Sequence, residues 1–243
     1  MGVPSDYASE GDMQVLRGLR SKGKAWIVGG WVRESLSGQP ETDMDIATTL
    51  LPNEVKQLFP LSLMYGAEYG TVVVRLEGQE KNWEVTTLRS EGGYGDGRRP
   101  DNVEFGDNIK QDLSRRDFTI NAMAYDSNWE PIDPFGGVAD LENGILRSVG
   151  DAGERLSEDG LRVMRAYRFL ASEKVKSMDS ELRDAVRENI SMLSQVSKER
   201  IGYELMRTLA SPNASVALSF MHNDGVIGEI LPELQVDSNR LLC

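Results

Sequence analysis

Two glycines and two aspartates carry the strongest chemical signal in this chain. The stretch Val28-Gly29-Gly30-Trp31-Val32-Arg33 contains a Gly-Gly turn that can bring backbone N–H groups close to a phosphate. A short distance on, Thr42-Asp43-Met44-Asp45-Ile46-Ala47 places two carboxylates two residues apart. On an extended segment such residues share a face, because strand side chains repeat every second position. Two carboxylates on one face repel each other unless a cation lies between them. Mg²⁺ is usually held by one or two carboxylates together with substrate phosphates. A phosphate grip beside a metal grip indicates nucleotide chemistry. Taken singly, the glycine pair is a turn and Asp-x-Asp a solvated surface; their order and spacing make the signal.

Further residues join this pair. Glu84, in Trp83-Glu84-Val85-Thr86-Thr87, lies on a strand expected to neighbour the Asp43–Asp45 strand. A third carboxylate there can help hold a second ion or activate a hydroxyl, as in two-metal sites; the alternative is an edge-strand glutamate facing water. Arg115-Arg116-Asp117 sets two guanidinium groups, well shaped for bidentate phosphate binding, before an expected helix. In Glu158-Asp159-Gly160-Leu161-Arg162, the spacing of three places Asp159 and Arg162 on one helical face. A fixed acceptor and donor side by side can imitate the edge of a base, with Glu158 bracing Arg162. Arg165 and Arg168 continue the ridge and could meet a triphosphate. An ordinary i, i+3 salt bridge is the plainer reading.

The elements that must position these groups follow from periodicity. Helices are expected over Met13–Leu19, Arg33–Leu36, Leu51–Phe59 and Asp117–Ala124. Strands are expected over Ala25–Val28, Met44–Ala47, Gly70–Leu76 and Asn82–Arg89, the last two forming a hairpin. Ser90–Pro100 and Pro131–Gly137 read as loops. From about Ala139 helical spacing takes over, giving an α+β head over residues 1–140 and a helical segment over 141–243.

Composition narrows the class. The net charge of −12 argues against general affinity for nucleic acid, which Lys and Arg drive. The segment 151–210 nevertheless carries 11 basic and 11 acidic residues against 15 and 24 before it, so a local basic face is possible there. A single histidine, His222, speaks against a histidine-rich metal site, and Cys243 as the sole cysteine excludes an intrachain disulfide. No run approaches the ~20 apolar residues of a membrane span, and the N-terminus lacks an apolar targeting core. The expectation is a soluble cytoplasmic protein without a membrane partner.

The motifs together resemble class II tRNA nucleotidyltransferases, the CCA-adding enzyme family that also includes bacterial poly(A) polymerase. They are Gly29-Gly30-x-Val32-Arg33, Asp43-x-Asp45, Arg115-Arg116-Asp117, Asp133-x-x-x-Gly137 and Glu158-Asp159-x-x-Arg162, in the family's order. The resemblance implies a polymerase-β-like nucleotidyltransferase head and an all-helical neck. It implies that Asp43 and Asp45 bind Mg²⁺ and promote attack of the tRNA 3′-hydroxyl on the α-phosphate of CTP or ATP. Gly30, Arg33, Arg116, Arg165 and Arg168 would contact the triphosphate, Arg116-Asp117 the ribose region, and Asp159 and Arg162 the incoming base. Gly66-Ala67-Glu68-Tyr69-Gly70-Thr71 resembles the CCA-adding pattern, and the full-length loop Arg89–Pro100 favours addition of the final A. A-only or CC-only addition, poly(A) synthesis and a non-catalytic RNA- or nucleotide-binding derivative are the alternatives. Glu34 stands where the family usually has Asp, a mild departure. Most of the family's body and tail is missing before Cys243, which implies a truncated chain or a compact member that binds tRNA weakly, as a homo-oligomer or with help.

Overall fold

The computed structural model describes residues 4–38, 40–92 and 102–234. The chain divides into two compact units, the first ending at Ala139 and the second beginning at Asp140. Among the described residues, no helix is long and apolar enough to cross a membrane.

The first unit opens with helix α1 (Glu10–Arg20), β1 (Ala25–Val28), α2 (Gly30–Ser35), β2 (Asp45–Thr48) and α3 (Pro52–Leu58). Strands β3 (Thr71–Arg75), β4 (Asn82–Thr87), β5 (Arg89–Gly92) and β6 (Asn102–Phe105) follow. Helix α4 (Ile109–Ser114), β7 (Ala124–Tyr125) and β8 (Pro131–Ile132) complete the run, and α5 (Gly137–Asn143) crosses the division at Ala139. Six strands form one mixed sheet in the order β3-β4-β2-β1-β7-β8, and β5 and β6 make a separate antiparallel ladder. Within the sheet only β2 and β4 run parallel, with Ile46 opposite Val85.

Alternation along the strands decides which face is covered. Ile27, Ile46, Val72, Val74, Trp83 and Val85 are buried in one core with Val15, Leu16 and Leu19 of α1 and Trp31 and Val32 of α2. The intervening residues, Asp45, Thr71, Glu84 and Thr86, line a cleft on the other side. The period of two thus separates a hydrophobic face from a polar one within the same strands.

Several boundaries depart from the sequence expectation for local reasons. Helix α1 starts at Glu10 because Ser9 and Asp12 cap each other: the Asp12 amide donates to Ser9 Oγ (3.1 Å) and the Ser9 amide to Asp12 Oδ2 (2.8 Å). Helix α2 likewise starts at Gly30, three residues before the expected Arg33. Ser90–Gly92, read as loop, belongs to β5, while 93–101 lie outside the described residues. The helix expected over Asp117–Ala124 is replaced by a short 3-10 turn (Thr119–Asn121) and strand β7, because Ala124 pairs with Val28 and Tyr125 with Ile27. Tertiary pairing overrides the helical spacing there. Pro131–Ile132, also read as loop, forms β8 against β7.

The second unit contains β9 (Ile145–Leu146), α6 (Ala152–Glu158), α7 (Leu161–Leu170), β10 (Ser177–Met178), α8 (Ser180–Glu188), α9 (Lys198–Leu209), α10 (Ala214–Asn223) and α11 (Val226–Ile230). It is helical apart from the two-residue parallel ladder of β9 and β10, an addition that pattern reading did not anticipate. Its core is built on Val163, Met164, Ala166, Tyr167 and Leu170 of α7, with Leu182 and Val186 of α8 and Met221 of α10. The Tyr167 hydroxyl donates to buried Asp224 (3.1 Å), which also accepts from Arg183 (3.2 Å) and Arg187 (2.8 Å). This satisfies a carboxylate that burial would otherwise penalise.

Candidate active site

The cleft on the polar side of the sheet has a volume of about 150 Å³ and is lined by Asp45, Glu84, Thr86, Arg89, Asp112 and Arg116, among others. Asp45 opens β2, and the residue pair just before Ile46 and Val85 is Asp45 and Glu84. The parallel register thus sets these two carboxylates on neighbouring strands. Asp43 lies ahead of β2, outside the strand, and its side chain is 80% exposed.

Electrostatics mark the cluster. Burial pushes the Asp45 carboxyl up to about 6, Glu84 adds to the rise, Arg116 opposes it and Asp43 contributes further. A partly desolvated carboxylate whose charged form is disfavoured by neighbouring acids gains from a nearby cation. The donors are hard oxygens, the chemistry suited to Mg²⁺. Among the described residues no group of three or more His, Cys, Asp or Glu is placed to hold a metal ion. A site finished by substrate phosphate oxygens does not require such a group. The carboxylate oxygens of Asp43 and Asp45 are of the donor type that, together with substrate phosphates, suits a divalent ion.

Gly29 closes over this cluster. Its φ of +76° is left-handed, and an added Cβ would stand 3.1 Å from Asp45 Oδ2 and 3.5 Å from Arg116 Nη1. A side chain there would be both strained and crowded. Arg33, on α2, pairs with Glu34 (3.0 Å) and hydrogen-bonds Asn121 Oδ1. Glu34 in turn accepts from the Glu41 amide (3.0 Å), the Thr42 amide (2.9 Å) and the Thr42 hydroxyl (3.0 Å), so it holds the loop that leads into Asp43. Burial acts to raise the Glu34 carboxyl, but these hydrogen bonds outweigh it and keep the group below its usual range.

The arginine pair is placed differently from expectation. Arg115 and Arg116 follow α4 instead of preceding a helix, so no helix N-terminus assists them. Asn108 caps the start of α4, its side chain accepting from the Lys110 amide (3.0 Å). Buried Asp112, on α4, meets Arg115 (2.7 Å) and Arg116 (3.4 Å). Burial works to raise Asp112, and the two guanidinium charges more than reverse it. Asp117 accepts from the Phe118 amide (2.8 Å) and the Asn121 side chain (3.0 Å), fastening the turn after the arginines. At the end of the first unit, Asp133 accepts from the Gly137 and Val138 amides (2.7 and 2.9 Å). Gly137 is required because a Cβ would come 2.2 Å from the Thr119 carbonyl oxygen.

In the second unit, Asp159 and Arg162 do not share one helix. Asp159 ends α6 in an extended conformation (φ −148°, ψ 107°), and α7 begins at Leu161. Asp159 accepts from the Leu161 amide (3.0 Å) and from Arg200 of α9 (2.9 Å). This local bonding competes with helix continuation. Glu158 does brace Arg162, at 2.5 Å, and the Arg155 carbonyl accepts from the same guanidinium nitrogen at 2.6 Å. Arg165 and Arg168 meet Glu204 of α9 at 3.9 and 2.6 Å. Arg168 is 13% exposed and Glu204 5%, so this ridge is tied into the unit's interior. Sequence reading missed Arg200 and Glu204. The signal for Glu204 was present: it interrupts the stripe Ile201, Leu205, Thr208 on one face of α9.

A mixed sheet with helices on one face, and with carboxylates on adjacent strands facing an arginine-edged cleft on the other, is the architecture of a poly(A) polymerase-type head domain. Residues 25–147 match the family described as the poly A polymerase head domain, and 177–237 match the one described as the probable RNA and SrmB-binding site of polymerase A. The chain belongs to the poly(A) polymerase head-domain family. It is 46% identical over 196 residues to a CCA-adding enzyme of Lactiplantibacillus plantarum, a match covering 81% of this chain and 47% of the relative. The crystal structure of the Bacillus stearothermophilus CCA-adding enzyme in complex with CTP superposes with a TM-score of 0.84 at 37% identity, covering all of this chain and 57% of that one. A tRNA nucleotidyltransferase complexed with a primer tRNA and an incoming ATP analog gives a TM-score of 0.75 at 26% identity over 94% of this chain and 64% of that one. The chain spans about half the length of the curated relatives it matches. Nucleotidyltransferases of this family generally use a divalent metal.

Proposed function

We propose that this chain adds C, C and A from CTP and ATP to the 3′ end of tRNA without a nucleic-acid template, using Mg²⁺. The observation that carries the reading is the partly buried Asp45 beside Glu84 and Asp43, with Arg116 opposing their charge. Similarity to CCA-adding enzymes, including those bound to CTP or to a primer tRNA, supports the substrates.

In this proposal residues 1–140 are the catalytic head and 141–243 the neck. The tRNA 3′-hydroxyl oxygen attacks the α-phosphorus, the bond to the β-phosphate breaks, and pyrophosphate leaves. Asp43 and Asp45 hold the ion, with Glu84 as the third carboxylate. When bound, Mg²⁺ supplies Lewis-acid polarisation of phosphoryl oxygens and favours the ionised hydroxyl. Arg33 and Arg116 bind triphosphate oxygens, Gly30 lets backbone approach them, and Asp117 orders the turn near the ribose. Positioning and charge stabilisation are then the main contributions to rate. Asp159 and Arg162 select the base through acceptor and donor atoms. Arg165 and Arg168 lie on the ridge that faces the triphosphate, and their ion pairs with Glu204 favour a positioning part, fastening α7 to α9.

Labelled CTP or ATP, Mg²⁺ and three tRNAs test this: one lacking CCA, one ending in CC and one complete. Extension of the first two and not the third is the expected result. Long A tails would instead indicate poly(A) synthesis, and absence of incorporation on every RNA would leave a non-catalytic binding protein.

A further inference from the structure

We propose that Lys81 is a fixed counter-ion for Asp43 that competes with the divalent cation for its carboxylate. The inference rests on reading Asp43 and Asp45 as the metal-holding pair. Lys81 Nζ stands 2.8 Å from Asp12 Oδ1 and 3.9 Å from Asp43 Oδ1. Asp12 is 2% exposed and anchored in α1, where it also accepts from Trp83 Nε1 (2.7 Å), the Ser9 amide (2.8 Å) and the Ser9 hydroxyl (2.7 Å). The Lys81 ammonium lies 5.8 Å from the centre of the Trp83 ring, and its side chain is 29% exposed.

An exposed lysine can swing away from a carboxylate when a metal arrives. Lys81 cannot do so freely, because leaving would strip a buried carboxylate of its cation. Its positive charge therefore stays beside Asp43 whether or not an ion is bound. A divalent ion on Asp43 meets that charge and binds less tightly than the carboxylates alone would allow. Triphosphate oxygens add the negative charge that offsets this. Lys81 thus makes ion loading depend on nucleotide and is a positioning residue, not a catalytic one.

The test is Mn²⁺ binding to the nucleotide-free protein, followed by electron paramagnetic resonance. Lys81→Met should tighten Mn²⁺ by roughly two- to fivefold, the range of a partly exposed charge pair. Lys81→Arg should bind Mn²⁺ as the wild type does, and Lys81→Met should have no effect in an Asp43→Asn background. Unchanged or weaker binding in Lys81→Met, with Asp43→Asn and Asp45→Asn still weakening it, overturns the proposal and leaves the metal site standing. Unchanged binding in Asp43→Asn and Asp45→Asn overturns both. Because loss of Lys81 also weakens the Asp12 anchor, a wild-type readout stands beside these. With lysines ¹³C-dimethylated, the Lys81 resonance should shift on adding Mg²⁺ and fail to shift in Asp43→Asn. A Lys81 signal indifferent to Mg²⁺ overturns the proposal.

Discussion

Thr42 donates both its amide (2.9 Å) and its hydroxyl (3.0 Å) to one oxygen of Glu34. The other Glu34 oxygen accepts from Arg33 at 3.0 Å. One carboxylate thereby ties the loop delivering Asp43 to the helix carrying Arg33. Glu34→Ala should lower kcat/KM by about 10- to 100-fold, the scale of lost hydrogen bonds to a charged group. Glu34→Gln should fall less, since its amide oxygen still accepts from Thr42 while the charge facing Arg33 is gone. Steady-state kinetics with CTP check the order.

Asp45 gives a pH dependence of defined sign. Its native carboxyl titrates near 6, above the unfolded value, so the folded state binds the proton more tightly. The group therefore costs stability as pH rises from about 4 to 6, and the full cost is present at pH 7. In metal-free buffer, Asp45→Asn should stabilise the fold at pH 7 by up to about 2 kcal/mol and give little gain at pH 4. Urea unfolding at the two pH values measures this. Glu84→Gln should lower the Asp45 pKa, seen by carboxyl ¹³C NMR, because Glu84 contributes to the rise.

Asp112 behaves in the opposite sense. Its carboxyl lies below the ordinary value because Arg115 and Arg116 outweigh burial. The stability it confers is present above the unfolded pKa and is lost as pH falls through the lower native one. Asp112→Ala should cost about 3 kcal/mol at pH 7, since it leaves guanidinium groups without their buried partner. It should also raise KM for the nucleotide by freeing Arg116. Wild-type loss should appear only below about pH 4, and the variant should lack that acid-sensitive contribution.

Base choice is assigned to Arg162 and Asp159. Arg162→Ala should change the ratio of kcat/KM for CTP to that for ATP and misincorporate GTP or UTP, with transfer chemistry otherwise retained. An unchanged nucleotide ratio in that variant removes the base-reading assignment.

Much of the head was legible because strands announce themselves by alternation. The hairpin flanking Gly78 read correctly because its buried and open residues alternate between the two faces of the sheet, and Ala25–Val28 because it is a short apolar run, three of whose four residues are buried. The neighbouring of the Glu84 strand and the Asp45 strand was legible in the sequence, and β2 and β4 do pair, whereas Asp43 falls outside the strand expected to carry it. The segment after Asp117 was not, because its conformation depends on pairing with β1, a partner distant in sequence. The break at Asp159 was hidden by a spacing that suits a continuous helix. Lys81, Arg200 and Glu204 were missed for a common reason: each acts through a long-range partner, and nothing local to Lys81 or Arg200 names it.

The central claim is that the Asp43–Asp45 pair carries nucleotidyl transfer. Single-turnover incorporation of α-labelled CTP into tRNA lacking CCA, with Mg²⁺, tests it most directly on wild type, Asp43→Ala and Asp45→Ala. The account predicts addition by the wild type and loss of transfer in both folded variants, for CTP and ATP alike. Wild-type rates in either variant would contradict it.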